Sequence, residues 1–341
     1  MMKPAVTQGL PRPALVHSLV TGFNLVASNI RVILLPVALD LFLWLGPHLR
    51  LKKLIEPLVA RSLNILQANP AAPGEMSGFI STSKEMWSFI LERFNLFSLL
   101  AGFPVGVPSF VSSTLPVKTP AGQPMIIEVG SFLSAFTAFV ILSLIGTLLG
   151  TFFFLSIARL VQPDRKLAGF TAFPHCALHS FLLGWIFILA LALLILPFSL
   201  LASVLALFNV GLAQIVLFIV GFIAIWLVIP FIFSPHGIFA YRLNVFSSII
   251  NSARVMRYFL PNAGMFILAL FIIFQGLNVI WNMAQDDTWF MVISILGHAF
   301  ISTGLLTASF IYYRTGTEWI RDFQRRTREA AGQVQETSHA N

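Results

Sequence analysis

Apolar residues in this chain are gathered into six long runs that are almost free of ionisable side chains. The runs cover residues 30–47, 131–158, 178–203, 209–233, 262–283 and 288–313. A helix needs about 20 predominantly apolar residues to cross a bilayer, where unpaired backbone groups are too costly to leave unsatisfied. The pattern therefore predicts an all-α, polytopic membrane protein with six transmembrane helices.

Shorter amphipathic stretches precede the first, third and fifth runs. In the clearest, residues 238–260, polar and apolar side chains fall on opposite faces of a helix. The polar face holds Asn244, Ser247, Ser248, Asn251 and Arg254, and the apolar face holds Leu243, Phe246, Ile250 and Ala253. Residues 13–28 and residues 164–176, which follow a predicted cap at Asp164, repeat the pattern more weakly. We expect these stretches to form interfacial amphipathic helices.

The first two runs are separated by a long segment, residues 48–130, which we expect to be an extracytoplasmic insert. Residues 49–66 and 84–99 have the spacing of amphipathic helices, and a turn is predicted between them. The turn residues are Pro70, Pro73 and Gly74. Further prolines then impose an extended course, at Pro104, Pro108, Pro116, Pro120 and Pro124. Because apolar side chains are interleaved with them, we expect this course to rest on the bundle or on lipid.

Composition supports the same class of protein. The chain is 57% hydrophobic and only 10% charged, with a mean hydropathy of +0.87, whereas about a quarter of the residues of a soluble domain are charged.

The predicted domain organisation is a single transmembrane bundle over residues 1–314 and a basic cytoplasmic tail over 315–341, which begins as an interfacial helix and ends disordered. The lone Cys176 excludes an intramolecular disulfide.

The distribution of positive charge predicts an orientation. Lys and Arg are absent from the short loops 204–208 and 284–287 and are concentrated in the alternate segments, as the positive-inside rule requires. The predicted cytoplasmic cations are Lys3, Arg12, Arg31, Arg159, Arg165, Lys166, Arg242, Arg254, Arg257, Arg314, Arg321, Arg325, Arg326 and Arg328. Both termini are therefore predicted to be cytoplasmic. Because topology accounts for the net charge of +8, we predict no nucleic-acid partner.

Asp40 is the sharpest anomaly in the pattern, because it lies about ten residues into the first run. An intramembrane carboxylate suggests function by default. His298 lies at a similar depth in the sixth run, so Asp40 and His298 form a candidate intramembrane polar pair. The alternatives are a proton relay, a structural hydrogen-bonded pair, or an Asp40 displaced to the outer headgroups. The structural alternatives are favoured, and we predict a dry, packed environment for Asp40.

Other residues each have a functional and a structural interpretation. His175 and His179 share a helix face beside Cys176 and could ligate a metal, but two imidazoles do not complete a site, and no metal or other cofactor is predicted. Asp286 and Asp287 could hold a cation with Asn282, although capping of the sixth span is favoured.

Two further groups of residues have spacing typical of packing or of lipid contact. Gly146 and Gly150 have the small-xxx-small spacing of close helix packing, within this bundle or against a partner helix. Arg242, Arg254 and Arg257 could contact anionic lipid or a protein partner, or simply fix the depth of the helix by snorkelling.

A resemblance is carried by the run from Ser252 to Trp281, SARVMRYFLPNAGMFILALFIIFQGLNVIW, and by the later FIYYRTGTEWI. These stretches resemble the six-helix membrane domains that accompany some glycerophosphodiester phosphodiesterases or occur alone as uncharacterised bacterial membrane proteins. The resemblance covers about a quarter of the chain, and no phosphodiesterase domain is present. It implies a bacterial inner or plasma membrane and transfers no site residue.

No catalytic motif is found: the chain has no phosphate-binding glycine loop with Lys, no H-E-x-x-H, no G-x-S-x-G and no C-x-x-C. The leading hypothesis is a non-enzymatic integral membrane protein that is structural, lipid-interacting or a subunit of a complex. Its expected partners are membrane lipids and, for a subunit of a complex, other membrane proteins. The alternative is a secondary transporter or permease component with a midplane site at Asp40 and helices broken at Pro36, Pro197 and Pro230. An intramembrane enzyme has the least support.

Overall fold

The computed structural model describes residues 10–67, 75–163, 170–206 and 208–339. Predictions for Lys3, Asp164, Arg165, Lys166 and Asn341, and for the turn at Pro70, Pro73 and Gly74, lie outside the described residues. The described helices are α1 (Leu15–Ser28), α2 (Leu34–Leu45), α3 (Lys52–Gln67), α4 (Glu75–Arg93), α5 (Val111–Thr114), α6 (Phe132–Val161), α7 (Phe173–Ala206), α8 (Val210–Ile232), α9 (Ser234–Tyr241), α10 (Val245–Trp281) and α11 (Met291–His339). Short 3₁₀ turns cover Ile30–Ile33, Leu96–Ala101 and Phe170–Ala172.

Long apolar helices dominate the fold. Within the described residues, five are long and apolar enough to cross a membrane: α6, α7, α8 continuing into α9, α10, and α11 as far as Glu329. Residues 15–45 make a sixth candidate only if α1 and the broken helix after it are counted as one span. The prediction of an all-α, polytopic membrane protein is confirmed, with five or six spans.

Two compact units make up the chain. Unit 1 contains Met1–Asn29, Phe154–Ile273 and Gly304–Asn341, and unit 2 contains Ile30–Phe153 and Phe274–Thr303. Three helices, α6, α10 and α11, therefore contribute residues to both units.

The core of unit 1 is aromatic and forms around α10 and α11. Its buried residues are Phe233, Val255, Met256, Phe259, Ala263, Phe266, Ala308, Tyr312, Tyr313 and Ile320. Glycine allows α1 to lie directly on α11, because a Cβ on Gly22 would come within 2.6 Å of the backbone of Ala308. The helix α11 continues without a break past residue 315 to His339, so the predicted tail begins inside a helix whose residues are buried as far as Ile320.

The predicted interfacial helix 238–260 corresponds to α9 and the beginning of α10. A non-helical residue, Phe259, interrupts α10 just before Pro261, which agrees with the predicted boundary. One residue of the predicted polar face, Ser248, is buried, as is the neighbouring Ser252, while Phe246 and Ile250 of the apolar face are 67% and 58% exposed. The serine hydroxyls are drawn inward by backbone groups at the junction of α8 and α9. Ser248 donates to the carbonyl of Ser234, and Ser252 accepts from the amide of Phe233 at 3.2 Å.

The α7 and α8 hairpin contrasts with α11 in burial. Only 6% of the most apolar stretch of α8 and 11% of that of α7 are buried inside the protein, against 61% for α11. Apolar side chains on all sides of a helix are expected where the surroundings are lipid. The hairpin is therefore the peripheral, lipid-facing region of unit 1.

Unit 2 contains the insert, which begins and ends at a small parallel sheet. Strand β1 (His48–Arg50) pairs with β2 (Ile126–Glu128), with His48 opposite Ile126 and Arg50 opposite Glu128. The sequence did not predict these strands, yet they coincide with the predicted limits of the insert, 48 and 130. Between them α3 packs on α4, and Lys52 pairs with Glu92 at 3.3 Å.

The two predicted helices of the insert are both present. The first, α3, starts three residues later than expected, and the second, α4, starts at Glu75 rather than residue 84 and ends at Arg93. It ends early because the side chain of Asn95 accepts a hydrogen bond from the amide of Phe97 and starts a 3₁₀ turn.

Candidate functional site

Asp40 on α2 is fully buried, and its carboxylate binds the insert. One oxygen accepts hydrogen bonds from the Ser109 hydroxyl at 2.5 Å and the Val111 amide at 3.1 Å, and the other accepts one from the Phe110 amide at 3.0 Å. Phe110 and Val111 lie at the start of α5, where backbone N–H groups lack helical partners. The carboxylate therefore satisfies backbone donors of the proline-rich segment.

Gly146 and Gly150 on α6 also lie in close contact with this part of the insert. A Cβ on Gly146 would lie 2.3 Å from the carbonyl oxygen of Leu99, and one on Gly150 would lie 2.4 Å from that of Val105. The spacing of these glycines indicated close packing against a helix, and the atoms nearest to them do not belong to an α-helix. The partner is a 3₁₀ turn and the irregular chain that follows it.

The proline-rich segment thus reaches membrane depth, because Gly146 lies near the middle of the apolar helix α6. Irregular backbone is tolerated at that depth only where protein surrounds it or where it lines a cavity. Val105, Val107 and Phe110 are buried, and Phe103 is 60% exposed. The segment packs against α2 and α6 within unit 2, and Asp40 supplies the acceptors that its backbone needs there.

His298 does not hydrogen-bond to Asp40. Its ring packs against those of Phe110 and Phe274, each at 5.5 Å between centroids, and its Nδ1 has no partner in the described stretches of the chain. The two members of the candidate pair instead meet at one residue: Asp40 accepts from the Phe110 amide, and His298 packs on the Phe110 ring. The structure therefore brings them near a common neighbour without a shared hydrogen bond.

Two further sets of candidates were the histidines beside Cys176, as metal ligands, and three prolines, as helix breaks. His175 and His179 share a helix face with ring centroids 4.2 Å apart, whereas Cys176 is buried and directed at the carbonyl of Ile238. No cluster of three or more potential metal ligands is present among the residues described. Of the prolines proposed to break helices, Pro197 and Pro230 lie inside α7 and α8, and Pro36 lies in the first turn of α2.

Asp286 and Asp287 do not cap the sixth span, so that prediction is wrong. The helix α11 begins at Met291, and in the described chain neither carboxylate accepts a backbone hydrogen bond. Instead, the buried Trp44 indole donates to the carbonyl oxygen of Asp286 at 3.0 Å, which ties the loop to α2. Burial raises the pKa of Asp286, as does the neighbouring Asp287, while the Arg93 guanidinium acts in the opposite direction.

Two of the three arginines proposed to contact lipid or a partner line one groove. Arg254 and Arg257 lie together on α10, in a groove of about 630 Å³ whose other described lining residues are Ile250, Ala253 and Tyr258. In the described chain neither guanidinium forms an ion pair. Arg242 is not among the described lining residues of this groove, and it has the left-handed conformation that ends α9 (φ 52°).

Sequence reasoning missed His236, which lies within the buried helix α9. Its Nε2 is 2.7 Å from the Ser309 hydroxyl, and its ring is packed among aromatic rings of the unit 1 core. Its Nδ1 has no partner in the described residues. The available signal was a histidine enclosed by apolar sequence on both sides, in the stretch Phe231–Tyr241.

Comparisons with known proteins give no match: no family model fits the chain, and neither the curated proteins nor the solved structures contain a similar one. The resemblance to the membrane domains of some glycerophosphodiester phosphodiesterases remains a prediction.

Proposed function

We propose that this integral membrane protein is non-enzymatic and binds anionic lipid in the groove lined by Arg254 and Arg257. The observation that carries the proposal is a pair of exposed guanidiniums, without ion-pair partners in the described chain, in a groove with apolar walls. Guanidinium binds phosphate oxygens through two parallel N–H donors, and it does so more readily than ammonium because it is less strongly hydrated.

The surroundings of the groove suit a lipid rather than a soluble anion. Ile250 and Phe246, on the same helix, expose large apolar side chains beside the guanidiniums. Tyr258 lines the groove and is 46% exposed, and tyrosine is frequent at headgroup level because it has an apolar ring and a polar tip. An anionic headgroup would contact the arginines while its acyl chains lie along Phe246 and Ile250.

The transporter alternative is supported less well. A midplane substrate site needs polar atoms that are available to a ligand. The Asp40 carboxylate already accepts three hydrogen bonds from Ser109, Phe110 and Val111. We therefore assign Asp40 to holding the insert in place.

The proposal is tested by purifying the full chain in mild detergent and measuring co-purified phosphatidylglycerol by mass spectrometry. We expect the double variant Arg254→Gln/Arg257→Gln to retain several-fold less of it than the wild type. The matched control is Arg325→Gln/Arg328→Gln, which removes two cations with the same spacing from α11. Equal retention by the Arg254/Arg257 variant and the wild type would overturn the proposal.

A further inference from the structure

A cavity of about 380 Å³ in unit 2 is lined by ionisable side chains of both signs from three separate segments. Arg93 comes from the end of α4, Lys118 from the proline-rich segment, and Asp286 and Asp287 from the loop before α11. In the described chain none of these four forms an ion pair with another. The cavity therefore presents two cations and two carboxylates that are not neutralised by direct contact.

The loop that carries the carboxylates is attached to α2 by a hydrogen bond and an aromatic contact. The Trp44 indole is fully buried and donates to the backbone carbonyl of Asp286, and its ring packs edge-on against Trp289 at 5.9 Å. The hydrogen bond to its carbonyl holds the backbone of Asp286 near Arg93, whose charge acts on the Asp286 carboxylate. Binding sites of this kind need side chains positioned before the ligand arrives.

We propose that this cavity binds a zwitterion of the phosphoethanolamine type, with its ammonium between Asp286 and Asp287 and its phosphate between Arg93 and Lys118. A primary ammonium offers three N–H donors to carboxylate oxygens, and a phosphate diester offers acceptors to guanidinium and ammonium. Asn282 and Gln285, which also line the cavity, add amide groups able to bind either end.

The rim of the cavity resembles a lipid interface. Met283 lines it and is 78% exposed, and Trp289 and Phe290 follow the loop with 63% and 70% of their surfaces exposed. Tryptophan is enriched where headgroups meet acyl chains. The ligand is therefore either the headgroup of phosphatidylethanolamine or soluble glycerophosphoethanolamine, which carries the same two charges.

The test is native mass spectrometry of the purified full chain, titrated separately with phosphatidylethanolamine, phosphatidylcholine and phosphatidylglycerol. We expect phosphatidylethanolamine to bind best, because the methylated ammonium of phosphatidylcholine has no N–H donor and phosphatidylglycerol has no cation. Competition by glycerophosphoethanolamine would identify the free zwitterion as a ligand, and absence of competition would identify the lipid. Equal binding of the three lipids, or a preference for either of the others, would overturn the proposal.

Substitutions at the exposed members separate this site from general surface charge. Asp287→Asn and Lys118→Gln should each weaken phosphatidylethanolamine binding about 3-fold, and together about 10-fold. The controls Glu85→Gln and Lys84→Gln change the same charges at exposed positions on α4, and they should have no effect. Unchanged binding in the Asp287/Lys118 double variant would contradict the assignment. Arg254→Gln/Arg257→Gln should leave this binding unchanged, which separates it from the groove on α10.

Discussion

Asp40 and the Arg254–Arg257 pair are both charged groups in apolar surroundings, but their relations to the rest of the chain are opposite. Asp40 is fully buried, and its two oxygens accept three hydrogen bonds from the insert. The arginines are exposed in a groove and form no ion pair within the described chain. A charge in an apolar helix therefore indicates a ligand only when its hydrogen-bonding capacity is not already used inside the protein.

The contrast follows from the hydrogen-bond partners that are available to each group. Irregular backbone at membrane depth exposes N–H groups that lipid cannot satisfy, and an internal acceptor is the remaining solution. Arginine at an interface can reach headgroups or water without an internal partner. Asp40 is therefore a structural residue that holds the insert, whereas Arg254 and Arg257 are exposed surface residues.

The largest effect should come from filling the space that the proline-rich segment occupies. In Gly150→Leu the new Cβ would lie 2.4 Å from the carbonyl oxygen of Val105, so the segment must move off α6. We expect a loss of about 3 kcal/mol in the free energy of unfolding, measured in mixed micelles, and faster proteolysis within residues 102–110.

The matched control is Gly221→Leu, because a Cβ on Gly221 meets nothing within 4 Å and this glycine is exposed on α8. It should be neutral or slightly stabilising, since leucine favours helix over glycine by up to about 1 kcal/mol. If both leucines had the same effect, the segment would not be packed on Gly150.

Removing the acceptor should have the next largest effect. Asp40→Ala leaves the amides of Phe110 and Val111 without their acceptor, and we expect a loss of about 2 kcal/mol, the lower end of what two buried unsatisfied donors cost. Asp40→Asn keeps one carbonyl oxygen and should cost only about 1 kcal/mol, with insertion intact.

The partner of Asp40 can be checked with a double-mutant cycle. Ser109→Ala should be less destabilising in Asp40→Ala than in the wild type, because the hydroxyl then has no carboxylate to donate to and only its hydrogen bond from the Ser112 amide is lost. Strict additivity of the two substitutions would show that Asp40 does not hold the insert through Ser109. Loss of an assayed transport by Asp40→Asn at normal expression would instead favour the transporter alternative.

The general outline of this site could be predicted from the sequence. Asp40 stands out because carboxylates are rare within apolar runs, and the interleaving of Val105 and Phe110 with prolines predicts a segment that rests on protein or lipid. The spacing of Gly146 and Gly150 predicts close packing against a helix. Each residue was thus recognisable by itself.

The pairing of these residues could not be predicted. Asp40 meets Phe110 across 70 positions, and periodicity within one helix carries no information about contacts at that separation. Small residues allow any backbone to approach, so they do not distinguish a helix from a loop. The burial of Ser248 has a similar cause, since its partner is the carbonyl of Ser234 at the junction of α8 and α9.

A smaller effect on stability is expected when the two arginines are replaced. Arg254→Gln/Arg257→Gln should change the free energy of unfolding by no more than about 0.5 kcal/mol, because exposed residues without internal partners contribute little to stability. The measurement is the same mixed-micelle titration used for Asp40→Ala. A loss as large as that of Asp40→Ala would mean that the arginines, too, are bound inside the fold.

The smallest effect concerns His48, a buried residue at the base of the insert. Burial lowers the pKa of His48, the Arg50 guanidinium lowers it further, and the carbonyl of Leu43 acts in the opposite direction. Arg93, Asn95 and Ser112 line the small cavity beside it, so the only other charge facing the imidazole from the described residues is a second cation. A histidine whose pKa is lowered in the folded state binds fewer protons there than when unfolded, so its contribution to stability is complete above pH about 6.5 and declines as the pH falls below that value.

Thermal stability should therefore decrease between pH 7.5 and 5.5, and His48→Gln should reduce that slope without removing it. The control His17→Gln replaces an exposed histidine of α1 and should leave the slope unchanged. Equal slopes in the wild type and His48→Gln would show that the imidazole is not held neutral in the fold. The Asp40 carboxylate has hydrogen-bond donors, whereas the His48 Nε2 has no partner in the described chain. The burial of His48 therefore stabilises the insert only while its ring is uncharged.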